Sequence, residues 1–316
     1  MTEVPLGEFL KRQWLPAIEH TVRRSTFVGY RSHVLVHIGP LLGSIYLAEL
    51  DAPRLNRFYA RLMSEGRRKG RGGLSPSTVR RIHATLHRAL RDAVRWGLLA
   101  DNPVDRSDPP RPFVSCQATT WSPQELGSFL AAVRDDAWYP LWLLLAMTGM
   151  RRGEALGLRW QDIDFAHRRA AVQQTLVAVG YEPQLSTPKT HRGRRVVALD
   201  DRTVEVLERH REKMGQHGLV FRDSDGTALH PCRVTRRFAA LVRVSGLPRI
   251  RLHDLRHTHA TIALRAGIHP KIVSERLGHS TVTITLDLYS HAGESLQAEA
   301  AGRVLALIFP SRENRS

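Results

Sequence analysis

The sequence predicts a mainly α protein in two parts, with a small antiparallel β-sheet confined to the second, α+β part. Three observations predict it. Apolar residues recur at helical spacing from Leu6 to Val104. The stretch Asp101–Thr120 carries four prolines and has neither helical nor strand period. Residues 161–199 change to short strand-like runs between turns, and helical spacing resumes at Thr203. The predicted organisation is a helical domain at 1–104, an extended linker at 105–120 and a mixed domain at 121–316.

Within the first part, Phe9, Trp14, Leu15 and Ile18 give a first helix, and Thr26 to Ile38 a second that ends near Gly39-Pro40. Asp51 caps a third with Pro53 in its first turn, and Leu55, Phe58, Tyr59 and Leu62 make its apolar face. The fourth runs from Ser75-Pro76 or Ser77 to Trp96-Gly97 and buries Val79, Ile82, Leu86, Ala89, Leu90 and Ala93. Arg81, Arg88 and Arg95 recur every seven residues on another face, with Arg80, His87 and Arg91 beside them. Such a ridge alone is ordinary solvated surface. The basic loop GRRKGRGG before it (66–73) turns the reading toward a DNA-gripping domain whose phosphate contacts give affinity.

In the second part, Ser122 caps a helix with Pro123 at its first position and Glu125 completing a capping box. An apolar helix, Trp138–Met147, is interrupted by Thr148-Gly149. Arg151 and Glu154 follow on one helical face, a spacing that a surface ion pair also explains. Strands are expected at Asp162–Phe165, Ala170–Val179 and Arg195–Leu199, with Lys189 at a hairpin tip. Helices follow at Thr203–Met214, Arg233–Val244, Pro270–Leu277 and, with an apolar side of Leu296, Ala300, Val304, Leu307 and Ile308, at 294–309.

Charge narrows the function. The chain has 316 residues, 47 basic against 30 acidic, for a net charge of +17. The excess is not a tail: residues 1–110 hold 18 basic and 10 acidic side chains, the remainder 29 and 20. A polyanionic partner, nucleic acid above all, fits this balance. Two cysteines, Cys116 and Cys232, are too few for a disulfide framework or a cysteine zinc site. The N-terminus has no signal-peptide pattern, and the longest apolar run, Ala137–Met147, is too short to span a bilayer. A cytoplasmic protein with no membrane partner is expected.

The chemistry concentrates in Arg251–His291. His253 and Arg256 lie three apart near a helix start, where both can face one phosphate and backbone N–H groups assist. Gly278 ends a helix and lets His279 point back into a site. Tyr289 follows ten residues later, at the end of a short helix capped by Ser280. A tyrosine acts as nucleophile only beside positive charge or a base, and the arginines and imidazoles supply both. His253 and His257, at i,i+4 with His259 near, also have metal-ligand spacing, but no carboxylate or cysteine set accompanies them.

Taken in order, Thr148-Gly-Met-Arg151-Arg-Gly-Glu154, Thr187-Pro-Lys189-Thr, His253-Asp-Leu-Arg256-His, Leu277-Gly-His279 and Tyr289 resemble the motifs of the tyrosine recombinase, or phage integrase, family. The resemblance spans nearly the whole chain. It implies a helical, SAM-like core-binding domain and a mixed catalytic domain that together close as a C-shaped clamp on double-stranded DNA. It implies that Arg151, rather than Arg152, and Arg256 hold the scissile phosphate. Lys189 then protonates the leaving 5′ oxygen, His253 is the acid/base, His279 bonds the phosphate, Tyr289 is the nucleophile and Glu154 supports the site. Arg80, Arg81, Arg88, Arg91 and Arg95 are the expected DNA-binding arginines. The implied activity is site-specific recombination through a 3′-phosphotyrosyl intermediate, needing neither cofactor nor metal. It further implies a tetramer on DNA that exchanges its 294–309 helix, with a directionality factor or host DNA-bending protein as further partners. Many phage integrases carry an arm-binding domain ahead of the core-binding helices; this sequence starts at those helices, which leaves binding to separate arm sites open. The alternatives are a type IB topoisomerase-like nicking-resealing enzyme and an inactive DNA-binding regulator.

Overall fold

The structure, a computed structural model, describes residues 4–68, 70–111, 119–180, 182–187, 193–279, 281–283, 285–286, 305 and 308. It divides into two compact units, Met1–Cys116 and Gln117–Ser316. Each buries its own apolar core.

The first unit is helical. Its first helix is α1 (Leu6–Glu8) and α2 (Leu15–Ile18), joined by a π-helical stretch Phe9–Trp14. The second is α3 (Arg24–His33), a π-helical stretch Val34–Ile38 and α4 (Gly39–Leu42). It therefore passes Gly39-Pro40 rather than ending there. The wider π turn lets the Gly39 N–H reach Val34 O, five residues back, and Pro40 falls in the first turn of the next segment, where its missing N–H costs little. In α5 (Ala52–Glu65) the Asp51 carboxylate accepts from Arg54 N at 2.8 Å, as the cap spacing predicts. Ser75 caps α6 (Pro76–Arg95), and Val79, Ile82, Leu86, Ala89, Leu90 and Ala93 are all buried. Trp14 Nε1 donates to the buried Asp92 at 2.9 Å, pinning the first helix onto α6.

The second unit opens with α7 (Pro123–Ala132), whose capping box forms in both directions between Ser122 and Glu125. Next, α8 (Tyr139–Thr148) is apolar around its whole circumference, so it is driven into the centre of the unit. Its Trp142 joins a cluster with Trp121, Phe129 and Phe238, at ring separations of 5.0 to 6.2 Å. Gly149 ends α8 with φ +63°, and α9 (Arg152–Leu156) follows at once.

The sheets are more divided than predicted. β1 (Ile163–Asp164), β2 (Arg169–Val172) and β5 (Arg195–Ala198) form one antiparallel sheet, while β3 (Thr175–Val179) and β4 (Glu182–Ser186) form a separate hairpin turning at Gly180. The expected strand Ala170–Val179 breaks at Gln173-Gln174. There the Gln174 side chain donates to Gly157 O at 2.9 Å, and β3 packs on α9 instead of continuing the ladder.

Four helices complete the described unit: α10 (Asp201–Met214), α11 (Pro231–Val244), α12 (Asp254–Arg265) and α13 (Pro270–Leu277). Ala260, Ala263, Leu264, Val273 and Leu277 close the α12–α13 pair. Of the predicted last helix, 294–309, only Leu305 and Ile308 fall within the described residues, and both are exposed. Among the described residues no helix is long and apolar enough to cross a membrane.

Candidate active site

Two helix ends meet to make the site. A helix leaves its last carbonyls without intrahelical donors, and buried ones must be satisfied elsewhere. The end of α8 offers Ala146, Met147 and Gly149, and the end of α13 offers Arg276, Leu277 and Gly278. Basic side chains answer all six. Arg256 bridges the two ends, donating from Nη1 to Gly149 O at 2.8 Å and from Nη2 to Leu277 O at 2.7 Å. Arg151 donates from Nη2 to Gly278 O at 2.9 Å and from Nη1 to Glu154 Oε1 at 2.7 Å. Each guanidinium thereby commits two of its five donors and is held in one orientation. Arg256 is buried, while the Arg151 side chain is 41% exposed. Burial, then the nearby charge of Arg151, pulls the Arg256 pKa down from the usual arginine value, as expected for a cation waiting for an anion.

Glycines permit the approach. A Cβ on Gly149 would fall 2.5 Å from Leu277 Cδ2 and 2.9 Å from His259 Cδ2. Gly278, at φ +68°, turns the chain after α13 so that His279 N bonds back to Ser274 O at 3.1 Å. The His279 ring is buried and its Nδ1 shares a hydrogen bond with the buried Thr285 Oγ1 at 2.9 Å. Burial, then Arg256 and Arg151, push its pKa down to about 4. His253 stands at the start of α12, edge-on to His257 with ring centroids 5.1 Å apart. Partial burial of its ring, then His257 and Arg256, push it down to about 4 as well. Both shifts favour the neutral imidazole over the imidazolium. Asp254, gripped by Arg251 at 2.8 and 3.0 Å, fixes the start of α12.

The structure therefore brings together Arg151, Glu154, His253, Arg256 and His279 from three separate stretches of sequence. It also separates Arg151 from its neighbour. Arg152 turns toward α11, where Nη1 donates to Pro231 O at 3.2 Å and to Thr235 Oγ1. Lys189, Ser280 and Tyr289 lie outside the described residues. In the first unit, Arg80, Arg81, Arg91 and Arg95 are exposed along α6. Arg88 differs: its guanidinium lies 5.6 Å over the Tyr30 ring and its Nε is buried. Arg95 also pairs with Asp92 at 3.0 Å.

Sequence reasoning missed Arg195 and Arg276, and noted His259 only beside a pair of histidines with metal-ligand spacing. Arg276 Nη2 donates to Met147 O at 3.0 Å and its Nε meets His259 Nε2 at 3.3 Å, while His259 Nδ1 bonds Ala146 O at 3.0 Å. Both His259 nitrogens are thereby engaged, which removes it from any ligand set with His257. Burial, then Arg276, pushes His259 down to about 4. These partners lie 17 and 113 residues from His259, so no local spacing announces them. The signal available was the run of apolar residues in α8, whose buried end had to find donors.

Comparison with known proteins gives a consistent picture. Residues 122–295 match the model of the phage integrase family. A tyrosine recombinase XerC-like protein of Caldanaerobacter subterraneus subsp. tengcongensis is 26% identical over 318 aligned residues, covering 92% of this chain and 80% of the relative. Among solved structures, an integrase of transposon Tn1549, in complex with a circular intermediate DNA, superposes with TM-score 0.79 at 23% identity, over 95% of this chain and 99% of that one. A lambda integrase tetramer bound to a Holliday junction gives TM-score 0.69 at 19% identity, over 91% and 78%. These two likenesses show the fold, helical with small antiparallel sheets.

Proposed function

The chain belongs to the phage integrase family, and from that premise we propose how its residues carry out site-specific DNA recombination. The observation that carries the reading is the pair of guanidiniums, Arg151 and Arg256, held by consecutive carbonyls, Gly278 and Leu277, beside the imidazoles of His253 and His279.

Arg151 and Arg256 grip the scissile phosphate, with charge-assisted bonds from donors the carbonyls leave over. Their fixed orientation stabilises the extra charge of the pentacoordinate transition state without reorganisation. Tyr289 Oη attacks phosphorus, its proton passing to the neutral His253. The bond to the 5′ oxygen breaks, and that oxygen takes a proton from Lys189. The product is a 3′-phosphotyrosyl bond and a free 5′ hydroxyl. His279 bonds a non-bridging oxygen, steadied through Thr285. Attack by the 5′ hydroxyl of a partner strand reverses each step. One phosphodiester is exchanged for another, so bond energy is conserved. Arg80, Arg81, Arg91 and Arg95, exposed on one helix, add phosphate contacts from the first unit. Double-stranded DNA is the partner. The enzyme acts as a tetramer on two sites, a reading supported by the tetrameric lambda integrase of the same fold.

A nicked suicide substrate tests this. The strand end beyond the cleavage site diffuses away, so wild type accumulates a covalent adduct and Tyr289→Phe forms none. An adduct that persists in Tyr289→Phe would overturn the assignment of the nucleophile. Supercoil relaxation with no joining of two sites would favour nicking and resealing alone.

A further inference from the structure

Arg195 is an enclosed cation beside the site, and none of the roles above uses it. Its side chain is 8% exposed, and the carboxylate it meets, Glu154, is 4% exposed. It sits at the first position of β5, where its backbone pairs with Val172. From there Nη2 donates to Glu154 Oε2 at 2.9 Å and Nε donates to Arg276 O at 2.6 Å. The same Glu154 carboxylate receives Arg151 twice, from the backbone N–H at 2.9 Å and from Nη1 at 2.7 Å. One buried carboxylate is therefore shared between an enclosed arginine and an open one. The three carbonyls 276, 277 and 278 are taken in turn by Arg195, Arg256 and Arg151.

We propose that Arg195 is a positioning residue for strand cleavage, holding Arg151 and the Leu277-Gly278-His279 turn in phosphate-binding geometry through Glu154 and Arg276 O. This rests on the recombinase reading above. Arg151 and Arg195 compete for one carboxylate. Glu154 is held ionised despite its burial, the bond and charge of Arg195 outweighing those of Arg151. With Arg195 satisfying Oε2, Arg151 commits one Nη to Oε1 and keeps other donors for DNA. Without Arg195, a buried carboxylate has only Arg151 to neutralise it, and a buried charge left with one partner draws that partner in. Arg151 then turns from the phosphate, and Arg276 O loses the bond that sets the end of α13. Arg195 is too enclosed to contact DNA itself, so its loss acts on the rate of cleavage rather than on binding.

The experiment uses the full chain and a nicked substrate at saturating DNA, reading the single-turnover rate of adduct formation, the DNA Kd and the melting temperature. Arg195→Met should slow cleavage on the order of 10²-fold, the cost of a small displacement of reacting groups. The DNA Kd should move by less than about threefold, because affinity is spread over many phosphates. Arg195→Lys restores the charge opposite Glu154 but not the second bond, and should recover part of the rate. The double variant Glu154→Gln/Arg195→Met removes both charges of the pair, so it should fold even if Arg195→Met alone does not. Its cleavage rate should lie within about tenfold of Glu154→Gln alone, since coupled residues are non-additive. An Arg195→Met protein cleaving at the wild-type rate would overturn the proposal, as would binding and cleavage falling in step or losses that multiply in the double variant. Wild type forming no adduct would instead sink the recombinase reading itself.

Discussion

At the scale of single residues, the site is defined by which side chain answers which carbonyl. Arg256 donates to Gly149 O and Leu277 O at once, a task for a planar fork. Arg256→Lys keeps the charge but cannot make both bonds and hold phosphate, so adduct formation should fall by roughly 10²-fold or more, the scale of losing one oriented donor. A rate within a few-fold of wild type would show that charge alone suffices. Arg151 and Arg152, inseparable by spacing, differ in what they touch. Arg151→Ala should abolish measurable cleavage, while Arg152→Ala, which loses Pro231 O and Thr235, should lower the melting temperature and leave cleavage largely intact. His259 makes a third prediction. Its pKa is pushed below the ordinary 6.5 to about 4 by burial, then Arg276 and Arg256, against the bond to Ala146 O. The unfolded chain therefore binds the extra proton first as pH falls. His259 stabilises fully above pH 6.5, and that contribution is lost as pH falls from 6.5 toward 4, by at most ~3 kcal/mol. Chemical denaturation between pH 7 and 5 should show this slope, and His259→Phe should reduce it, with His253 and His279 supplying part of the remainder. An unchanged slope in His259→Phe would place the acid sensitivity elsewhere.

At the scale of elements, helix ends and turns decide the geometry. Gly149 closes α8 at φ +63° with Leu277 and His259 against it, so Gly149→Ala combines backbone strain with a clash. It should destabilise by about 1–3 kcal/mol and slow cleavage, because the carbonyl that orients Arg256 must move. A variant with wild-type melting temperature would contradict the close approach. This element scale is also where the sequence was most and least legible. Caps at Asp51, Ser75 and Ser122, the buried stripe of α6 and the glycine stops at 149 and 278 are written in adjacent residues, because capping and amphipathicity are local. Pro40 misled, because a π turn can carry a helix past a proline without any change of composition. The break between β2 and β3 was hidden for another reason: it depends on Gln174 reaching Gly157 O, a tertiary contact. The same holds for the site. Arg256, His253 and His279 were legible from spacing within one stretch. Arg195 was not, because its partner Glu154 lies 41 residues away and nothing near Arg195 marks it as buried.

At the scale of the whole molecule, the two units carry separate cores, the first around Leu6, Phe9, Trp14, Leu55, Leu62 and the α6 stripe. Residues 117–316 expressed alone should fold, with a cooperative melt, and should bind DNA more weakly than the full chain. The net charge of +17 is spread over both units, so affinity for DNA should be strongly salt-dependent. If six or more phosphates are contacted, affinity should fall by roughly 10³-fold between about 50 and about 200 mM salt. Alanine at Arg81 or Arg91, exposed on α6, should reduce that slope by about 1 each. Alanine at Arg88, half-buried over Tyr30, should cost stability as well. Binding that is flat with salt would contradict phosphate contacts by these basic side chains. On the proposed mechanism this chain becomes joined to DNA through Tyr289, with Arg151 and Arg256 holding the phosphate. Mass spectrometry of the peptide left on a trapped suicide substrate tests it most directly. The expected product is a tyrosine-linked peptide containing residue 289, attached to a 3′ phosphate, with a free 5′ hydroxyl on the released strand. A peptide linked through another residue, or attachment to a 5′ phosphate, would contradict it.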